Sequence, residues 1–93
     1  MPRKLQVEFD HSALFRRLSK TIAYYRRENG HTQEELAEMA GISHRYMSKI
    51  ESLGNTTSIS LDLLFNFAKV LNLEPYQLLK APLPPPELSD DSM

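Results

Sequence analysis

The sequence predicts an all-α fold of five short helices with no strand, and three observations lead to that prediction. Apolar residues recur at steps of three and four, which is the spacing of one helix face. Residues that cap helix N-termini stand before these segments, and glycines follow two of them. The 93 residues are 41% hydrophobic and 25% charged, as expected for an ordinary soluble domain with one small core.

The first helix is predicted after an N-terminal arm that spans residues 1–11. Asp10 or Ser12 would cap it, because either side-chain oxygen can accept a hydrogen bond from an unpaired first-turn N–H. The helix ends at Gly30. Its apolar face consists of Leu14, Leu18, Ile22 and Tyr25.

Two short helices follow, joined by a tight turn. Thr32 and Glu35 have the spacing of a capping box, Gly41 stands where a left-handed C-cap is needed, and Ser43 caps the second helix. A helix, a glycine turn and a second helix form a helix-turn-helix unit, predicted here over residues 33–52. Its shared core would contain Leu36, Ala37, Ala40, Ile42, Met47 and Ile50. The face opposite that core would carry Arg45, Ser48, Lys49 and Ser52.

The fourth and fifth helices complete the predicted domain, which spans residues 12–81. Ser60 or Ser58 would cap the fourth helix, and Pro75 suits the first turn of a short fifth helix. A helix with so little polar surface as the fourth is expected to be buried on more than one side. Its polar stripe consists of Asp62, Asn66 and Lys69.

Charge is distributed unevenly along the chain, whose net charge is -1. Residues 82–93 contain four of the six prolines and three acidic residues, and we expect them to form a disordered tail. Residues 1–86 have 11 basic against 9 acidic residues and therefore carry +2. Most of the basic residues lie between positions 16 and 49, and a local positive field of this kind favours a polyanionic partner.

Several classes of function are excluded by what the sequence lacks. It has no Cys, so disulfides and thiolate metal sites are excluded. His11, His31 and His44 show no metal-ligand spacing. There is neither a nucleophile–base constellation nor a phosphate loop, so we expect no enzyme, no cofactor and no small-molecule ligand. The N-terminal residues lack the apolar run of a signal peptide, no segment has the length of a membrane span, and a cytoplasmic protein is expected.

The helix-turn-helix segment and its flanks resemble the Cro/C1-type regulators, also called the XRE family. The matching residues are Thr32 to Ala37, Ala40 to Ser43, Met47, Ser48, Ile50 and Glu51, with Ile22, Arg26 and Gly30 upstream and Leu61, Leu64, Phe67, Ala68, Leu71, Leu78 and Leu79 downstream. The resemblance covers residues 14–80. It implies a compact, lambda-repressor-like five-helix domain and a transcriptional regulator that binds double-stranded DNA at an operator.

The resemblance also implies roles for individual residues. Gln33 corresponds to a glutamine that contacts the DNA backbone and supports base-reading side chains. Arg26 is the arginine of the first helix that the resemblance favours for a phosphate contact. The recognition helix, residues 43–52, would lie in the major groove. Its positions that reach bases or phosphates are Ser43, His44, Arg45 and Lys49.

Side-chain chemistry agrees with these positions. Arg45 can donate two hydrogen bonds to guanine O6 and N7, the commonest specific contact to DNA. His44 and Ser48 can each donate or accept a hydrogen bond, and Tyr46 can contact a thymine methyl group or a phosphate.

The loop after the recognition helix differs from the family pattern. It is longer than usual and lacks the basic residues and the proline that the family places there. Contacts from this loop to the DNA backbone would therefore depend on uncharged groups, Asn55 and Thr56.

A homodimer is expected, because one helix-turn-helix contacts only a few base pairs and specificity usually comes from two half-sites. The core face of the fourth helix would consist of Leu61, Leu64, Phe67, Ala68 and Leu71. Leu63 and Phe65 add apolar groups beyond that face, and Tyr76 follows in the next helix, so these three form the predicted dimer interface. The alternative is that Phe65 completes the core of a monomer.

Two alternative functions use the same fold. The chain could be an antitoxin or another protein-interaction module in which DNA binding is secondary or lost. It could also be the DNA-binding part of a larger repressor, with the proline-rich segment as a linker.

Overall fold

The structure is a computed structural model that describes residues 9–52 and 58–80. Within these ranges the chain forms five α-helices and no strand, which confirms the predicted all-α fold. The helices are α1 (Ser12–Glu28), α2 (Gln33–Ala40), α3 (His44–Glu51), α4 (Leu61–Val70) and α5 (Pro75–Leu79). The predicted tail and most of the predicted arm lie outside the described residues.

One apolar core lies between the five helices. α2 packs against α3 and α4, α1 packs against α3 and α5, and α4 packs against α5. Phe67 of α4 is completely buried. The other large apolar side chains that are almost completely buried are Ile22, Leu36, Met47, Ile50 and Leu78. Because every helix contributes at least one of these side chains, each helix is positioned by its neighbours.

The first turn of α1 contains the predicted hydrogen bond from an N–H to Asp10, but the N-cap residue differs from the prediction. The N-cap position belongs to His11, whose side chain makes no cap hydrogen bond. Asp10 Oδ1 instead accepts hydrogen bonds from the Ser12 hydroxyl (2.6 Å) and the Ser12 N–H (3.0 Å). Both bonds hold the pKa of Asp10 below its ordinary value, and the bond from the Ser12 hydroxyl has the larger effect. Leu14, predicted on the buried face, is 59% exposed, because it lines a cleft that is open to solvent.

The predicted turn chemistry between α2 and α3 is confirmed. Thr32 Oγ1 accepts from the Glu35 N–H (3.0 Å), and Glu35 Oε1 accepts from the Thr32 N–H (2.8 Å), which completes the capping box. Gly41 follows α2 with φ 82°, a left-handed backbone conformation that is unfavourable for residues with a Cβ atom. Ser43 Oγ accepts from the Tyr46 N–H (3.0 Å) and caps α3.

The orientation of α4 corrects two assignments. Leu61, predicted in the core, is 66% exposed, whereas Leu63, predicted in the dimer interface, is only 6% exposed. α4 contacts α2 and also α5, so its buried stripe is wide enough to include Leu63. Ser60, one of the two predicted caps, accepts a hydrogen bond from the Leu63 N–H (3.1 Å) through Oγ. The rest of the buried stripe is Leu64, Phe67, Ala68 and Leu71, as predicted.

α5 begins at Pro75, as predicted. The chain reaches it through Asn72, which has a positive φ of 62°, a conformation that asparagine tolerates better than most residues. Gln77 Oε1 accepts a hydrogen bond from the Glu74 N–H (2.9 Å), a capping interaction that was not predicted from the sequence. α5 is therefore held in place by its N-terminal hydrogen bond and by the buried Leu78.

Candidate nucleic-acid interface

α3 has one buried face and one exposed face. Met47 and Ile50 are completely buried, and Tyr46 is half-buried against the core. The residues with exposed side chains are Ser43 at the N-cap and His44, Arg45, Ser48 and Lys49 within the helix. The structure thus brings six of the predicted contact residues together at one helix, with Tyr46 less accessible than the other five. The predicted loop contacts, Asn55 and Thr56, lie outside the described residues.

The turn before α3 is held by hydrogen bonds to the last carbonyls of α2. The Ile42 N–H donates to the Ala37 carbonyl (2.9 Å). Asn66 Nδ2 of α4 donates to the Ala40 carbonyl (3.2 Å). Asn66 was expected only as part of a polar stripe, so its role in tying α4 to the end of α2 was missed. Together these bonds fix the position from which α3 starts.

Arg26 and Glu51 form a bidentate ion pair between α1 and the end of α3. Arg26 Nε donates to Glu51 Oε2 (2.8 Å), and a terminal guanidinium nitrogen donates to Oε1 (2.9 Å). The other terminal nitrogen donates to the His31 carbonyl (2.8 Å). The two side chains are only 12% and 3% exposed. Arg26 therefore supports the fold and is not placed for the phosphate contact that the resemblance favoured.

The position of Arg26 in the sequence indicates that its side chain needs an acidic partner. Arg26 follows the buried Ile22 by four residues, so its side chain points along the buried face of α1. A charged side chain there requires a partner of opposite charge, because an unpaired charge is very costly to bury. The identity of the partner depends on how α3 packs against α1, which the sequence pattern does not specify.

Gln33, the first residue of α2, connects this ion pair to the exposed face of α3. Its Nε2 donates to Glu51 Oε1 (2.9 Å), and its Oε1 accepts from the Ser48 hydroxyl (3.0 Å). A continuous chain of hydrogen bonds thus runs from α1 to the exposed face of α3. We refer to Arg26, Glu51, Gln33 and Ser48 as the polar chain.

The exposed face of α3 is cationic. Arg45 and Lys49 are exposed, and neither forms an ion pair with any of the described residues. Their charges are therefore not neutralised by any residue that the structure describes, and they can bind an anionic partner. Among the acidic residues of α2, Glu35 is engaged in the capping box, and neither Glu34 nor Glu38 forms an ion pair with Arg45 or Lys49.

The part of the chain that the structure describes offers few features of other kinds of site. It contains no group of His, Asp or Glu side chains suited to holding a metal ion, and no helix there is long and apolar enough to cross a membrane. An open, mainly apolar cleft of about 320 Å³ lies between α1 and α5 and includes no residue of α3. Its lining includes Leu14, Phe15, Leu18, Leu78 and Leu79.

Comparisons with known proteins agree with this geometry. A family model described as Helix-turn-helix matches residues 22–78. The restriction-modification controller protein C.AhdI from Aeromonas hydrophila is 26% identical, with a TM-score of 0.65 over 71% of this chain and 97% of that chain. A hypothetical transcription factor, NHTF from Neisseria, is 27% identical, with a TM-score of 0.68 over 97% of this chain and 98% of that one. No curated protein matches the sequence significantly. The chain belongs to the helix-turn-helix family of DNA-binding transcriptional regulators, of the Cro/C1 or XRE type.

Proposed function

We propose that this regulator binds specific sequences of double-stranded DNA by placing α3 in the major groove. The observation that carries the proposal is the division of α3 into a buried apolar face and an exposed face of hydrogen-bonding side chains. The major groove of B-DNA is about 12 Å wide and admits an α-helix. Because Met47 and Ile50 fix α3 against the core, its exposed side chains can approach base edges from a rigid support.

Each exposed side chain of α3 has a proposed contact. Arg45 donates to guanine O6 and N7, and Lys49, one turn further on, contacts a base or a phosphate. Ser43 and His44 contact the DNA where the helix enters the groove. The half-buried Tyr46 is proposed to contact a phosphate or a thymine methyl group at the edge of the interface. Ser48 is proposed to contact a base edge.

Gln33 is proposed to contact the DNA backbone. One of its two amide hydrogens is used by Glu51, and the other donates to no atom of the described residues, so it is available to a phosphate oxygen. Asn55 and Thr56 remain proposed contacts of the loop after α3. Arg26 is not proposed as a DNA contact, because Glu51 and the His31 carbonyl engage its guanidinium group.

We also propose that the chain acts as a homodimer through the exposed apolar surface of α4 and α5. Phe65 is 48% exposed and Tyr76 is 62% exposed, and exposed apolar clusters often mark contact sites. Leu61 of α4 and Leu79 of α5 are also exposed, although Leu79 lines the cleft between α1 and α5. Leu63 is removed from the proposed interface, because it is buried in the core. A two-fold dimer would place two α3 helices about 34 Å apart, one turn of DNA.

The cationic face of α3 favours DNA over the alternative of a protein-interaction module such as an antitoxin. C.AhdI is a controller protein of a restriction-modification system, and that role is likewise regulatory. We propose a cytoplasmic location, where the DNA partner would be met, and no catalytic activity.

Selection of binding sites from random double-stranded DNA tests the proposal. The wild-type chain should enrich one sequence, present as two inverted half-sites whose centres are about 10 base pairs apart. Recovery of random sequence, or of no DNA at all, would contradict the proposal. Enrichment of a single half-site would support base recognition by α3 and contradict the dimer.

A further inference from the structure

We infer that the polar chain fixes Ser48 as a hydrogen-bond acceptor toward DNA, so that Ser48 selects bases whose edge presents an amino group. The inference rests on the proposed function and specifies what one residue of the interface recognises. A serine hydroxyl ordinarily donates or accepts and therefore contacts several kinds of base edge. In the polar chain, which runs from Arg26 through Glu51 and Gln33 to Ser48, each residue determines whether the next one donates or accepts.

The direction is set at the buried end of the polar chain. The Arg26 guanidinium can only donate hydrogen bonds, and the Glu51 carboxylate can only accept them. Both carboxylate oxygens of Glu51 accept from Arg26. The Glu51 side chain is 3% exposed, so the pair is held in place by its surroundings.

The orientation of the Gln33 amide follows from the carboxylate. An amide has a donating NH₂ end and an accepting oxygen end, and only the NH₂ end can form a hydrogen bond with Glu51 Oε1. Gln33 Nε2 lies 2.9 Å from that oxygen. The amide oxygen must therefore face away from Glu51, toward Ser48.

The hydroxyl of Ser48 has one proton, and that proton is used by Gln33. Ser48 Oγ lies 3.0 Å from Gln33 Oε1, which can only accept. Ser48 must donate in this bond, and only its lone pairs remain for another partner. Ser48 is exposed and lies three residues after Arg45, which places both side chains on the same side of α3.

A hydrogen-bond acceptor such as Ser48 requires a donor on the base edge, and only some bases present one in the major groove. Adenine N6 and cytosine N4 are amino donors, whereas guanine O6 and thymine O4 are acceptors. Ser48 held as an acceptor should therefore favour adenine or cytosine on the strand it contacts and should disfavour guanine or thymine. One such hydrogen bond corresponds to a preference of roughly threefold to tenfold.

The experiment compares binding sites selected by the wild-type chain, Ser48→Ala and Gln33→Met. The position whose preference disappears in Ser48→Ala is the base that Ser48 contacts. Wild type should favour adenine or cytosine there by roughly threefold to tenfold. Gln33→Met preserves the length of the side chain but frees the Ser48 proton, so all four bases should be accepted about equally at that position. Arg45→Ala identifies the base pair that Arg45 recognises. Ser48→Ala and Gln33→Met should both keep the wild-type preference at that base pair, which controls for a general loss of binding.

Three outcomes would overturn the inference while leaving the proposed function intact. Wild type could favour guanine or thymine at the base that Ser48 contacts. Gln33→Met could retain the preference for adenine or cytosine there. Ser48→Ala could leave the base preference unchanged at every position of the site. A wild-type chain that enriches no sequence would instead overturn the proposed function, and the inference with it. Thermal unfolding followed by circular dichroism verifies that each variant is folded, and Gln33→Ala replaces Gln33→Met if the methionine variant is not.

Discussion

Arg45 lies on the exposed face of α3, two residues after the N-cap, with its charge unpaired by any described residue. We predict that Arg45→Ala weakens binding to the selected site by about 1–3 kcal/mol and relaxes the preference at one base pair. Fluorescence anisotropy on the selected duplex and on duplexes changed at single positions measures both effects.

The matched control for Arg45 is Arg16→Ala, which removes another exposed arginine, from α1. It should leave the base preference unchanged, since Arg16 lies outside the proposed interface. If Arg45→Ala weakened binding equally to selected and to random DNA, Arg45 would be a phosphate contact. Unchanged binding would remove Arg45 from the interface.

The ion pair between Arg26 and Glu51 leads to a second prediction about individual residues. Removal of one partner leaves the other charge buried without compensation, so Glu51→Ala should destabilise the domain by about 3–5 kcal/mol in urea unfolding. The double variant Arg26→Met with Glu51→Leu should recover much of that stability, because neither charge remains. A loss below 1 kcal/mol on Glu51→Ala would mean that water reaches the pair in solution.

At the scale of the helices, the elements that the sequence predicted best are those fixed by local chemistry. The Thr32–Glu35 capping box, the left-handed Gly41 and the Ser43 cap all depend on residues within one turn of one another. Such interactions depend on spacing along the chain, so spacing was enough to identify them.

The elements predicted less well depend on contacts between distant segments. The α4 helix is apolar on most sides, so its sequence did not show that Leu63 points inward and Leu61 outward. The Arg26–Glu51 pair and the hydrogen bonds of Gln33 to Glu51 and Ser48 join residues 15 to 25 positions apart, and only the packing of α1, α2 and α3 brings them together.

Two serine caps provide a prediction about α3 as an element. Ser43 caps α3 and Ser60 caps α4 through equivalent hydrogen bonds of 3.0 and 3.1 Å. Ser43→Ala and Ser60→Ala should each reduce the free energy of unfolding by about 1 kcal/mol. Only Ser43→Ala should also weaken DNA binding measured well below the melting temperature, because only Ser43 lies in the proposed interface. Equal DNA affinities of the two variants would place Ser43 outside it.

At the scale of the whole molecule, the exposed apolar surface of α4 and α5 leads to a prediction about assembly. Phe65→Glu should leave the domain folded by circular dichroism, convert the dimer to a monomer in sedimentation, and weaken binding to the two-half-site duplex. Leu63→Glu is the contrasting variant. It should unfold the domain, because a carboxylate would replace a side chain that is 6% exposed.

Two results would change the account of assembly. A Phe65→Glu variant that remains dimeric would place the interface elsewhere on the molecule. A Phe65→Glu variant that unfolds would show that Phe65 belongs to the core in solution, which is the alternative raised by the sequence.

The central claim, that the cationic face of α3 binds DNA and recognises its sequence, is tested most directly by a salt titration. Affinity for the selected duplex and for a scrambled duplex of equal length would be measured by fluorescence anisotropy between 50 and 200 mM salt, about the range in which phosphate contacts lose most of their strength. We predict that both affinities fall steeply with salt and that the selected duplex binds at least about 1,000-fold more tightly throughout. Equal affinity for the two duplexes, or an affinity that does not depend on salt, would contradict the claim.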